Sequence, residues 1–123
     1  MAITSGTYRG TKEYTLIFVE LITAAKYRGT ITYQEIAKII GLPLQGNLMG
    51  SRIGSLLGEI SEDEVTHGRP MLSSVAVNTQ RLPGPGFFAL AKQLGKIRVG
   101  DDEKKFWQAE CKSVYDTWRV VLK

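Results

Sequence analysis

The sequence predicts a mainly α chain with a small β element, arranged as a winged helix-turn-helix. Three observations predict it. Two short helical patterns meet at a turn between Thr30 and Ile60. Met71 to Asn78, MLSSVAVN, follows them with the alternation of a strand. Thr79 to Gly86, TQRLPGPG, then forms a basic turn stiffened by two prolines. A helical bundle with an incidental strand is the alternative arrangement.

The elements follow in order. Residues 1–10 lack periodicity and read as a loose start. Thr11 caps a helix from Lys12 to about Lys26, whose stripe is Tyr14, Ile17, Phe18, Leu21, Ile22 and Ala25. Gly29 is the natural left-handed cap at its end. After a brief strand at Thr30 and Ile31, Thr32 and Glu35 form a capping box for Tyr33 to Ile40, and Gly41 closes that helix. Leu42 to Gln45 is a turn in which Pro43 blocks continuation. The next helix runs from Gly46 or Asn47 to Ile60 on a stripe of Met49, Ile53, Leu56, Leu57 and Ile60. Ser61 to Gly68 reads as an acidic loop. Beyond the proline turn come a short helix, Phe87 to Leu94, and a last one capped by Asp101 and reaching about Leu122. The stripe of that last helix is Trp107, Cys111, Val114, Tyr115, Trp118, Val121 and Leu122.

The bulk numbers fit one ordinary domain spanning 1–123. Apolar residues make up 43% and charged residues 23%, enough apolar surface for a core without staples. The single Cys111 excludes an internal disulfide. The polar start carries no signal-peptide pattern, and the apolar stretch Tyr14 to Ala25 contains Glu20 and is too short to span a bilayer. A cytoplasmic protein with no membrane role is therefore expected. The net charge is +4, and Val65 to Gly100 carries Arg69, Arg81, Lys92, Lys96 and Arg98 without one acid. Such a segment suits a polyanion.

The second helix of the helix-turn-helix has glycine at every fourth position: Gly46, Gly50, Gly54 and Gly58. On a helical wheel, Asn47, Ser51, Gly54, Ser55 and Gly58 oppose the apolar stripe, and Arg52 lies on a flank. A base-reading helix usually offers two or three long polar side chains, and this face offers few. Interior glycines each cost about 0.8–1 kcal/mol relative to alanine. Close approach of a phosphodiester backbone, close packing of another helix, or a break at Gly50 each account for them. In the following turn, Gln80 and Arg81 sit where a wing tip contacts phosphate or the minor groove.

These residues resemble the DNA-binding domain of the alkylguanine-DNA alkyltransferase family, a winged helix. Its pattern runs Thr-Tyr-Gly-Glu-Leu-Ala, then Gly-x-Pro, then Arg-Ala-Val-Gly and a Pro-Cys-His-Arg-Val active site. Thr32-Tyr33-Gln34-Glu35-Ile36-Ala37, Gly41-Leu42-Pro43 and Ile53-Gly54 match, and Leu82 to Gly95 is similar in kind to the Gly-rich loop and following helix. Arg52 stands two residues before Gly54, not three, so the family's arginine-finger role does not transfer to it. The active site corresponds at best to Pro70-Met71-Leu72-Ser73-Ser74-Val75, which holds no cysteine, histidine or arginine. Alkyl transfer needs an activated thiolate, so the resemblance implies a DNA-binding relative that is not an enzyme. Gly68 to Phe88 is also similar to small bacterial and phage proteins, a likeness that implies no function.

No other chemistry is indicated. His67, the only histidine, has Ser73 and Ser74 nearby in sequence but no third oriented group. One histidine and one cysteine do not make a usual zinc site, Glu62, Asp63 and Glu64 lack calcium-loop spacing, and no phosphate loop is present. No metal and no cofactor are expected. The expected partner is double-stranded DNA, bound mainly through phosphates with weak sequence preference. Asn47, Ser51, Arg52, Ser55, Arg69, Gln80 and Arg81 are the candidate contacts. The alternative is a protein-interaction module, an accessory or inhibitor of a nucleic-acid machine, docking through the Gly/Ser face and the prolines.

Overall fold

A computed structural model describes residues 8–42 and 47–119, with side chains at 47–49 left aside. Their order is α1 (Lys12–Lys26), β1 (Ile31–Thr32), α2 (Tyr33–Ile39), α3 (Asn47–Thr66), a 3-10 helix (Leu72–Val75), β2 (Ala76–Val77), α4 (Pro85–Gln93) and α5 (Glu103–Trp118). The described chain is mainly helical with a small β element, as the sequence predicts. Among these residues no helix is long and apolar enough to cross a membrane.

Local chemistry explains most boundaries. Thr11 accepts the Tyr14 amide at the start of α1. Thr32 and Glu35 form both halves of the capping box of α2. Gly41, with φ +76, closes α2, and the Leu42 amide reaches back to the Ala37 carbonyl at 2.8 Å. Pro85 occupies the first position of α4, where its missing N–H costs nothing, so that helix starts two residues before Phe87. Asp102 caps α5, one residue later than predicted. Asp101 instead closes a turn by accepting from the Arg98 amide. Val121 and Leu122, predicted for the last helix, lie outside the described residues, as do Pro43 to Gly46 in the turn before α3.

Three expectations are corrected. First, α3 continues through the predicted acidic loop to Thr66, and it passes Gly50 without a break. Glu62 and Asp63 bond to groups in the first turns of the chain and Glu64 to nearby Arg69, so the charge run does not end the helix. Second, the predicted strand Met71 to Asn78 is half 3-10 helix, and Met71 to Val77 is buried on both sides. The amide and hydroxyl of Ser74 both donate to the Met71 carbonyl, at 3.1 and 2.6 Å, which tightens the chain there. Third, the left-handed residue after α1 is Arg28, with φ +55, not Gly29. The Gly29 amide makes the longer closing bond, to the Ala24 carbonyl at 2.8 Å.

The two strands pair in parallel, Ile31 with Ala76 and Thr32 with Val77. The main core joins Ile17 and Leu21 of α1, Ile36 of α2, Leu56 and Ile60 of α3, Leu72 and Val75, and Val114 of α5. Each such side chain contributes about 1.5–3 kcal/mol when fully buried. A second cluster, Met71, Phe87, Leu90, Ala91 and Ile97, seats α4 beside it.

Candidate nucleic-acid interface

Ile36 and Ala37 of α2 and Ile53 and Leu56 of α3 belong to one core cluster. This leaves the N-terminal half of α3 outward. Gly50, Ser51, Arg52 and Gly54 are exposed, Ser55 is half-buried, and Gly58 is buried. The side chain of Asn47 lies outside the described residues. A Cβ added at Gly50 or Gly54 would meet nothing within 4 Å. Packing of another helix among the described residues therefore does not explain these two glycines.

One side of this bare face forms the wall of an apolar groove of about 540 Å³. Gly50, Ile53, Gly54, Leu57 and Gly58 of α3 face Pro85, Phe87 and Leu90 of α4, with Tyr33 and Ser73 also lining it. The Tyr33 hydroxyl accepts the Gly84 amide at 2.7 Å, which ties the start of α4 to the start of α2. Burial pushes the Tyr33 phenol above its usual range, and the Gly84 amide offsets part of that shift. The α4 wall and Ser73 are site elements that sequence reasoning missed. Pro85 read as part of a turn, although proline also marks a first helical position.

The basic residues divide. Arg52 is exposed and has no ion-pair partner among the described residues. Gln80 and Arg81 are exposed in a five-residue reversal organised by Asn78. The Asn78 side chain accepts the Gln80 and Leu82 amides at 2.9 and 3.2 Å, and its backbone carbonyl accepts from the Arg81 amide at 3.0 Å. Arg81 adopts φ +64, and its guanidinium donates to the Thr30 hydroxyl at 3.0 Å. Arg69 is already engaged: Nε and Nη2 both donate to Glu64, and the guanidinium carbon lies 5.6 Å from the centre of the Trp118 ring. The segment that is acid-free in sequence is not acid-free in space. Lys92 pairs with Glu103 and Lys96 with Glu110.

Other reactive side chains are occupied. Cys111 is buried, donates to the Ser74 carbonyl at 3.3 Å, and its thiol is pushed up to about 12, first by burial and then by the charge of Glu110. Such a thiol is a poor nucleophile at neutral pH. His67 is exposed, with Nδ1 2.8 Å from the Asp63 carbonyl. Ser73 and Ser74 bond to Ser61 and Met71 instead. No group of three or more His, Cys, Asp and Glu among the described residues is placed to hold a metal ion. No protein-family model, curated protein or solved structure matches this chain.

Proposed function

We propose that this chain is a non-enzymatic winged-helix protein that binds duplex DNA mainly through phosphates, with weak sequence preference. The open face of α3 carries the proposal: exposed Gly50, Ser51, Arg52 and Gly54, with free space where a Cβ would stand. Glycine there lets a sugar-phosphate backbone come close, and Arg52 supplies charge beside it. The Asn78–Leu82 reversal acts as a one-turn wing that presents Gln80 and Arg81. Arg69 contributes less than its sequence position suggests, because Glu64 competes with phosphate for its fork.

Fluorescence anisotropy with a random-sequence duplex across a salt series tests this. Affinity should fall steeply with salt, and Arg52→Ala with Arg81→Ala should flatten the slope by about two counterions, roughly one per lost phosphate contact. Absence of binding at micromolar protein in low salt would refute the reading. So would a salt slope untouched by the double substitution. Capture of a defined protein partner without any DNA binding would favour the interaction-module alternative.

A further inference from the structure

We infer that the α3–α4 groove binds an uncharged, largely apolar small molecule that presents hydrogen-bond acceptors to Ser73 and Tyr33. The volume, about 540 Å³, lies in the range of small-molecule sites. Among the described residues no charged side chain lines the groove, and Ile53, Leu57, Phe87 and Leu90 supply apolar wall. An ion entering it would lose water without gaining a partner, which selects for a neutral occupant.

The polar selection follows from where two hydroxyl protons go. Ser73 is only 5% exposed. Its backbone amide donates to the Ser61 hydroxyl oxygen at 3.0 Å, and Ser61 donates its own proton to the Ser73 oxygen at 2.7 Å. Ser73 is thus used as an acceptor, and its proton has no acceptor among the described residues. Tyr33 repeats the pattern: its oxygen accepts the Gly84 amide, and its proton has no acceptor among the described residues. A hydroxyl removed from water with its donor unused is costly, and a ligand that supplies the acceptor recovers that cost. Among the described residues the groove therefore offers two unused hydroxyl donors, the amide of exposed Gln93, no charge and apolar walls. This differs from phosphate contact on the outer face of α3 and does not depend on DNA binding.

Acetophenone and toluene test the inference by amide chemical-shift titration of the full chain without DNA. They share a ring, and only acetophenone carries an acceptor. Acetophenone should shift the amides of Gly54, Gly58, Gly84 and Leu90 and bind roughly fivefold more tightly than toluene, the worth of about one neutral hydrogen bond. Ser73→Ala should reduce that preference while toluene binding persists. Gly54→Leu, at a position with open space for the side chain, should fill the groove and remove both ligands without disturbing the fold. Three results would overturn the inference: no groove shift at the solubility limit of acetophenone, equal affinity for the two probes, or an undiminished preference in a folded Ser73→Ala protein. Should Ser73→Ala fail to fold, retention of acetophenone by Gly54→Leu overturns it. Because no DNA is present, failure here leaves the DNA reading standing, and the reverse also holds.

Discussion

The two halves of α3 differ in how much of the rest of the chain they touch. From Glu59 to Glu64 nearly every polar side chain is committed. Buried Glu59 accepts the amides of Tyr8 and Arg9, Asp63 accepts from the Arg9 guanidinium and the Tyr14 hydroxyl, and Glu64 holds Arg69. From Gly50 to Ser55 the outward residues are small apart from Arg52, and no ion pair forms among the described residues. One helix thus carries an anchoring half and a presenting half. Packing decides the residues of the first, and packing among the described residues leaves the outward positions of the second open.

Several measurements can break or sharpen that contrast. The largest effect is expected at the anchor. Glu59→Ala leaves two backbone donors without their carboxylate and should destabilise the fold by about 3 kcal/mol in urea unfolding. An effect below about 0.5 kcal/mol, the range of ordinary surface changes, would mean that the N-terminal clasp is not part of the folding unit.

Alkaline titration addresses the same side. The Cys111 thiol and the Tyr14 phenol are both raised, chiefly by burial and, for Tyr14, next by its bond to Asp63. Each holds its proton more tightly folded than unfolded. Their contribution is therefore complete below a pH of about 9, where an unfolded thiol titrates, and it fades as pH rises toward 12. Melting temperature should fall across that window, and Cys111→Ser should make the fall shallower.

The presenting half should respond in the opposite sense. Gly54→Ala replaces a poor helix former where a Cβ has open space, so stability should rise by about 0.8–1 kcal/mol. If the glycine serves close contact with DNA, affinity should drop in the same protein. A gain in stability with unchanged DNA affinity would separate this face from DNA binding.

The smallest change lies outside α3. Arg28→Gly relieves a left-handed residue, a strain of roughly 1–2 kcal/mol in an L-residue. It also loses the exposed pair with Asp116 at 3.7 Å and the contact of Arg28 with the Tyr115 ring. A net gain of about 0.5 kcal/mol is expected by thermal melting, once the strain is set against a weak surface pair and a ring contact.

The same contrast explains what the sequence made legible. Thr11, the Thr32–Glu35 box, Gly41 and the apolar stripes act within one or two turns, so local pattern located α1, α2 and the start of the core. The run Ser61 to Thr66 depends on Arg9 and Tyr14, which lie far away in the chain, and on Arg69 just beyond it, and its three acids imitate a loop. Leu72 to Val75 shows strand alternation, yet Ser61 and Met71 draw its serines into a tighter turn. At the candidate site, the spacing of Gly50 and Gly54 was visible, but whether their face was covered was not. The acid-free run promised free cations, and the tertiary fold pairs three of its five with carboxylates.

The Trp107 indole donates to the Ser74 carbonyl at 2.8 Å, one residue from Ser73 at the groove. An indole held by a backbone carbonyl emits according to the strength of that bond. The only other tryptophan, Trp118, sits beneath Arg69 and edge-on to Phe18. With Trp118 replaced by phenylalanine, the chain would carry a single tryptophan, behind the groove, so occupancy there could be followed by selective indole excitation without attaching a label.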